Sequence, residues 1–213
     1  MKRLFTAKIS KPAMPISLIL LFIGFLVLSY DVPYIAPFSL AITGFLSLFL
    51  LFGKQGISYA FSKPQKFLST YALGLIGAWI FAGIGVFITT TILHSAASGN
   101  ASLESMNWLE LIKTIPMLLG EELITFVLLL MIVNFLGGTR KALVIAVIVS
   151  ALIFGFLHLP TYNWNFAQVI FIIAAARIPF TLASLRSNSM YAGLFVHITY
   201  DWIIFISAIL IHL

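Results

Sequence analysis

Cysteine is absent from the 213 residues, which excludes thiol nucleophiles, disulfides and thiolate-held metals. Charge is nearly as scarce: only 8% of the chain is Asp, Glu, Lys or Arg, and just six residues are acidic. A soluble domain carries about 25% charged residues, so the chain has too little polar coat to face water on all sides. Heptads, low-complexity tracts and fixed-period repeats are lacking too, which excludes coiled coils and solenoids.

What the chain has is apolar sequence, 62% of it hydrophobic, with a mean hydropathy of +1.12. A helix needs about 20 apolar residues to cross roughly 30 Å of hydrocarbon. Apolar runs fall at about residues 15–30, 34–52, 67–93, 106–136, 143–159, 166–185 and 191–213. The expectation is an all-α polytopic transmembrane helix bundle with about seven spans, six to eight allowed, forming one membrane domain over residues 1–213. The fourth run is long for one crossing. Trp108, Leu109, Ile112 and Ile115 opposite Glu110 and Lys113 suggest an interfacial amphipathic turn before the true span, and so an eighth helix. Gly74, Gly77, Gly83 and Gly85 in the third run read as close helix packing.

The net charge of +6 does not indicate nucleic acid, because the cations are scattered through the breaks between apolar runs. Lys2, Arg3, Lys8, Lys11, Lys54, Lys63, Lys66, Arg140, Lys141 and Arg186 fall in the tail and in alternate breaks, with Arg177 nearby. The other breaks have none, apart from Lys113 in the amphipathic turn. Positive charge is retained on the cytoplasmic side, so the expected location is the cell (plasma) membrane with a cytoplasmic N-terminus. The basic start leads into a retained first helix, not a cleaved signal.

Three of the six acids, Glu121, Glu122 and Asp201, sit within apolar runs. A carboxylate in hydrocarbon costs about 2.5–3.5 kcal/mol even on the lenient insertion scale, so each needs a partner or a wet cavity. The bland reading is that Glu121 and Glu122 cap a helix starting after Gly120. His158 and His197 lie in apolar runs as well, whereas His94 and His212 fall at helix ends. His197 and Asp201 stand four apart, on one helical face. Counted from the turn at 137–141, Glu121 and His158 reach one level, roughly 24 Å deep; His197 is only roughly 12 Å from its nearest turn. Such groups can activate water, with a carboxylate taking a proton and imidazoles orienting the water or the oxyanion. Two histidines and a carboxylate, here His158 and His197 with a glutamate, are equally a set for a divalent metal such as zinc. The sequence leaves a metal-held and a histidine-held water both open.

The pair Glu121-Glu122, then Phe154 four residues before His158, then His197 four residues before Asp201, resembles the three motifs of the CPBP family, the CAAX proteases and bacteriocin-processing enzymes also called Abi proteins. Those motifs are E-E-x-x-x-R, F-x-x-x-H and H-x-x-x-N or D, and the lead-in from Leu185 to Gly193 resembles the usual approach to the third. The resemblance implies a catalytic core within residues 106–213, leaving 1–105 unspecific. It also implies Glu121 as the base that activates water, Glu122 as its partner, His158 and His197 as holders of water or metal, and Asp201 in an oxyanion or supporting role. Phe154 would be a packing or substrate-wall residue. The implied partners are a peptide or membrane-protein substrate and the lipid bilayer. Within the family, a small chain is closer to bacteriocin-processing and self-immunity enzymes than to those that trim prenylated tails. The family's arginine position is Phe126 here, so its task is unfilled or met elsewhere. The rival readings are a non-catalytic immunity or peptide-binding protein that keeps the fold, and a proton-coupled transporter.

Overall fold

The computed structural model describes residues 4–7, 9–10 and 12–212, the side chain of His212 excepted. Lys2, Arg3, Lys8 and Lys11, counted above for orientation, lie outside the described residues. Among the described residues all regular structure is helical, as the composition predicts. The long helices are α1 (Ala13–Ser29), α2 (Ala36–Ala60), α3 (Phe67–Ile92), α4 (Trp108–Phe135), α5 (Arg140–Leu157), α6 (Phe166–Ser187) and α7 (Met190–His212). All but α1 are long and apolar enough to cross a membrane, and α1 has 17 residues. The last turn of α3 (Ile88–Ile92) and the segment Val169–Ala174 of α6 have π-helical hydrogen bonding.

Local chemistry sets the ends. Asn107 caps α4, its side-chain oxygen accepting from the N–H groups of Leu109 (3.0 Å) and Glu110 (3.1 Å). Asx caps of this kind start helices. The amphipathic turn is thus the first part of α4 and not a separate eighth helix: its apolar residues Trp108, Leu109, Ile112 and Ile115 are exposed, and Glu110 pairs with Lys113 at 2.6 Å. Pro116 sits inside α4 without ending it. Gly137 and Gly138, at φ 83° and 69°, make the left-handed turn into α5 that β-carbon-bearing residues resist.

α4 is the central helix, packing on α2, α5 and α7, while α1 covers α2 and α3 lies against α6 and α7. Leu123, Val127 and Leu130 of α4 form the main core with Leu40, Leu48 and Ala146. Three of the four α3 glycines pack closely, as expected: Gly74 against Ala183 and Val196, Gly77 against Pro179, Gly85 against the Phe171 carbonyl; Gly83, contrary to the expectation, faces open space.

The turn between α6 and α7 is buried. Ser187 and Ser189 have no exposed surface, because the segment after α2 closes over them: Gln65 N–H donates to the Ser187 carbonyl (2.8 Å) and Ser62 Oγ to the Asn188 carbonyl (2.8 Å). α7 therefore starts under protein cover, although Arg186 beside the turn is exposed.

Candidate active site

Glu121 and Glu122 lie in the middle of α4, the fourteenth and fifteenth residues of a helix that begins at Trp108. They cap nothing, and both are buried, at 8% and 2% exposure. Gly120 just before them is the point where α4 meets α2: a Cβ there would stand 2.5 Å from the Ala41 nitrogen. His158 terminates α5, and its Nδ1 lies 2.8 Å from the Phe154 carbonyl. A carbonyl only accepts, so Nδ1 carries the hydrogen and Nε2 is turned toward the carboxylates. His197 and Asp201 project from one face of α7, with His197 Nε2 3.3 Å from Asp201 Oδ2.

These groups converge. Glu121 Oε2 is 3.9 Å from His158 Nε2 and 3.7 Å from His197 Nε2. His197 Nδ1 is 3.0 Å from Glu122 Oε1, so the ring bridges the two glutamates. Phe154 lies 4.4 Å from the His158 ring and 5.9 Å from the His197 ring, centroid to centroid. The structure thus gathers every residue singled out from the sequence into one site.

Two functional neighbours were missed. Arg177 of α6 is 1% exposed and its Nη1 pairs with Glu122 Oε1, while lying 3.4 Å from His197 Nδ1. Its guanidinium also packs on the Phe154 and Phe180 rings at 4.9 and 5.6 Å. The rule that flags the buried acids applies equally to an arginine inside an apolar run, but Arg177, a few residues before the break at Arg186, was counted only among the orientation charges. Phe126, at the motif's arginine position, lines one small cavity of about 10 Å³ with Glu122, Arg177 and Ser184. A guanidinium therefore stands at Glu122, brought by α6 rather than by the next turn of α4. Phe180, the second missed residue, stacks on His197 at 4.8 Å.

The site faces a cavity of about 640 Å³, lined by Glu121, His158, His197 and Asp201 at its polar side. Phe25, Leu28, Leu40 and Val86, all from the part of the chain without motifs, wall the apolar side. Between the loops at 95–103 and 158–165 the lining residues Ala97, Ser102 and Pro160 are exposed, so the cavity opens there. Those loops are stitched together: Asn165 Nδ2 donates to the Ala96 carbonyl (2.8 Å), and Gln168 exchanges bonds with both backbone groups of Ser98 (2.7 and 3.0 Å).

As for a metal, no group of three or more His, Asp or Glu among the described residues is arranged to hold one. His197 has both ring nitrogens turned to carboxylates, Glu122 on one side and Asp201 on the other.

Residues 105–203 match the family model for Rce1-like proteins, described as type II CAAX prenyl endopeptidase Rce1-like. This agrees with the CPBP resemblance and, at family level, supports a membrane-integrated peptidase of the CAAX-protease type. No curated protein and no solved structure matches the chain.

Proposed function

We propose that the protein, with its Rce1-like segment at residues 105–203, is an intramembrane endopeptidase in which Glu121 activates a water molecule against a peptide bond. The observation that carries this reading is the placement of Glu121 Oε2 within 3.9 Å of both His158 Nε2 and His197 Nε2, at the wall of a cavity large enough for an extended peptide segment. A water in that gap meets a carboxylate and an imidazole lone pair together. Glu121 takes its proton as the oxygen attacks the carbonyl carbon, and later returns that proton to the leaving amine as the C–N bond breaks. His158, fixed by its bond to the Phe154 carbonyl, orients the water. His197, with a carboxylate at each ring nitrogen, carries hydrogens on both: Nδ1 donates to Glu122, and the Nε2 hydrogen lies between Asp201 and the cavity, where it can stabilise the oxyanion. Arg177 holds Glu122 in place, so Glu122 acts on His197 rather than on water.

The substrate in this reading is a peptide or a membrane-protein segment, in the setting of peptide processing or self-immunity. The rival, a binding protein without chemistry, drew on Phe126 in place of the motif arginine; Arg177 beside Glu122 favours the hydrolytic reading. The test is Glu121→Gln, which keeps shape and removes the base. Cleavage of a membrane-anchored peptide reporter should fall by ~10²- to 10⁴-fold with unchanged membrane abundance. Undiminished cleavage would transfer the assignment to the binding protein.

A further inference from the structure

We infer that the catalytic cavity opens on the extracytoplasmic face of the membrane, so that its substrates are translocated segments of exported or membrane proteins. The inference rests on the peptidase reading for its chemistry, but its geometry is independent of it. The two ends of the bundle differ sharply in charge. At one end Lys54, Lys63, Lys66, Arg140, Lys141 and Arg186 are all exposed. At the other, Asp31, Glu104 and Glu110 stand with a single cation, Lys113, which is tied to Glu110. No Lys or Arg occurs in 12–53, 67–112 or 142–176. Short basic connections stay in the cytoplasm, so the second end faces out.

The mouth of the cavity belongs to that second end, while its floor reaches mid-helix residues such as Ile124 and Phe180. It is lined by the last turn of α1 (Leu28, Ser29), the start of α2 (Leu40), the loop at Ala97 and Asn100, and the loop at Pro160. The site is shallow from that side. Arg140 marks the basic surface, and the 18 residues of α5 rise roughly 27 Å before His158, nearly the full roughly 30 Å of hydrocarbon. A cytoplasmic segment would have to cross the buried α6–α7 turn and the core around Leu123 and Val127 to reach Glu121. An external segment meets only the mouth between the two stitched loops.

The absence of cysteine makes the test direct. Single-cysteine variants Glu104→Cys at the mouth end and Lys63→Cys at the basic end are treated in intact cells with a membrane-impermeant maleimide. Labelling of Glu104→Cys without lysis, with Lys63→Cys labelled only after permeabilisation, is the expected result. The reverse pattern, or equal labelling of both, overturns the inference. Ser102→Cys and Lys141→Cys form a second pair should the first be poorly expressed. The substrate side is read from new chain ends present in wild-type cells and lost with Glu121→Gln. They should map to extracytoplasmic segments, and mapping to cytoplasmic segments overturns the inference. If labelling is as expected and no chain ends change, the mouth does face out and the peptidase reading fails instead.

Discussion

Arg177 and Glu122 form an ion pair almost without exposed surface, and a pair of that kind is costly to break from one side. Arg177→Met leaves the Glu122 carboxylate buried with only the His197 ring to answer it, which should lower stability by up to about 3–5 kcal/mol, measured as earlier thermal unfolding in detergent. Because position 126 is one turn from Glu122 on the same face of α4 and lines the same small cavity, Phe126→Arg added to Arg177→Met should recover part of the loss. It should also recover part of the cleavage, which a merely space-filling residue would not do. No recovery in either readout would mean that the two positions are not exchangeable. At this scale the sequence was informative about the acids and histidines, because Glu121, Glu122, His158, His197 and Asp201 interrupt apolar runs where an ionisable group needs a reason. It was uninformative about which residue answers Glu122, since that partner is 55 positions away and only the assembled bundle brings the long Arg177 side chain to it.

The elements were legible as apolar runs, and their boundaries less so. Residues 106–136 read as two pieces because the run is long for one crossing and amphipathic at its start, yet Asn107 starts one continuous helix. The cover over the α6–α7 turn was illegible for a different reason, because it comes from the segment after α2, which no local pattern announces. Gly193 shows how closely those helices meet: a Cβ there would stand 2.6 Å from the Phe180 carbonyl and collide with Ser184 Oγ. Gly193→Val should cost about 1–3 kcal/mol by overpacking and tilt His197 away from Glu121. Cleavage should then fall at temperatures where the protein is still fully folded; proportionate loss of both would limit Gly193 to packing. The π segment of α6 (Val169–Ala174) lies just before Arg177. An extra residue in a helix shifts everything beyond it by about 100°, and π-bulges recur at functional sites. Deleting Ile170 should restore α-helical phase, rotate Arg177 off Glu122 and abolish cleavage while the helical circular dichroism persists.

For the molecule as a whole, an all-helical membrane bundle followed from composition alone, whereas the cavity did not. Part of its wall comes from α1, α2 and α3, which carry no motif and whose apolar lining residues, Phe25, Leu28, Leu40 and Val86, are ordinary side chains of an apolar run. A ring on the apolar wall contributed by α6 should likewise narrow the space without touching the carboxylates. Ile173→Trp is expected to raise KM several-fold for a peptide reporter with kcat nearly unchanged, and a drop confined to kcat would place Ile173 nearer the reacting atoms than the cavity wall suggests.

The two shortest helices, α1 with 17 residues and α5 with 18, both end at the mouth. At 1.5 Å per residue they reach only about 26–27 Å, less than the roughly 30 Å of an ordinary bilayer. Lipid next to them must compress, at a cost of fractions of a kcal/mol per ångström, and a dimple in the leaflet brings its headgroups and water down toward His158. The bilayer then becomes a modulator of the enzyme: turnover in vesicles should be highest in short-chain lipids and decline as the acyl chains lengthen.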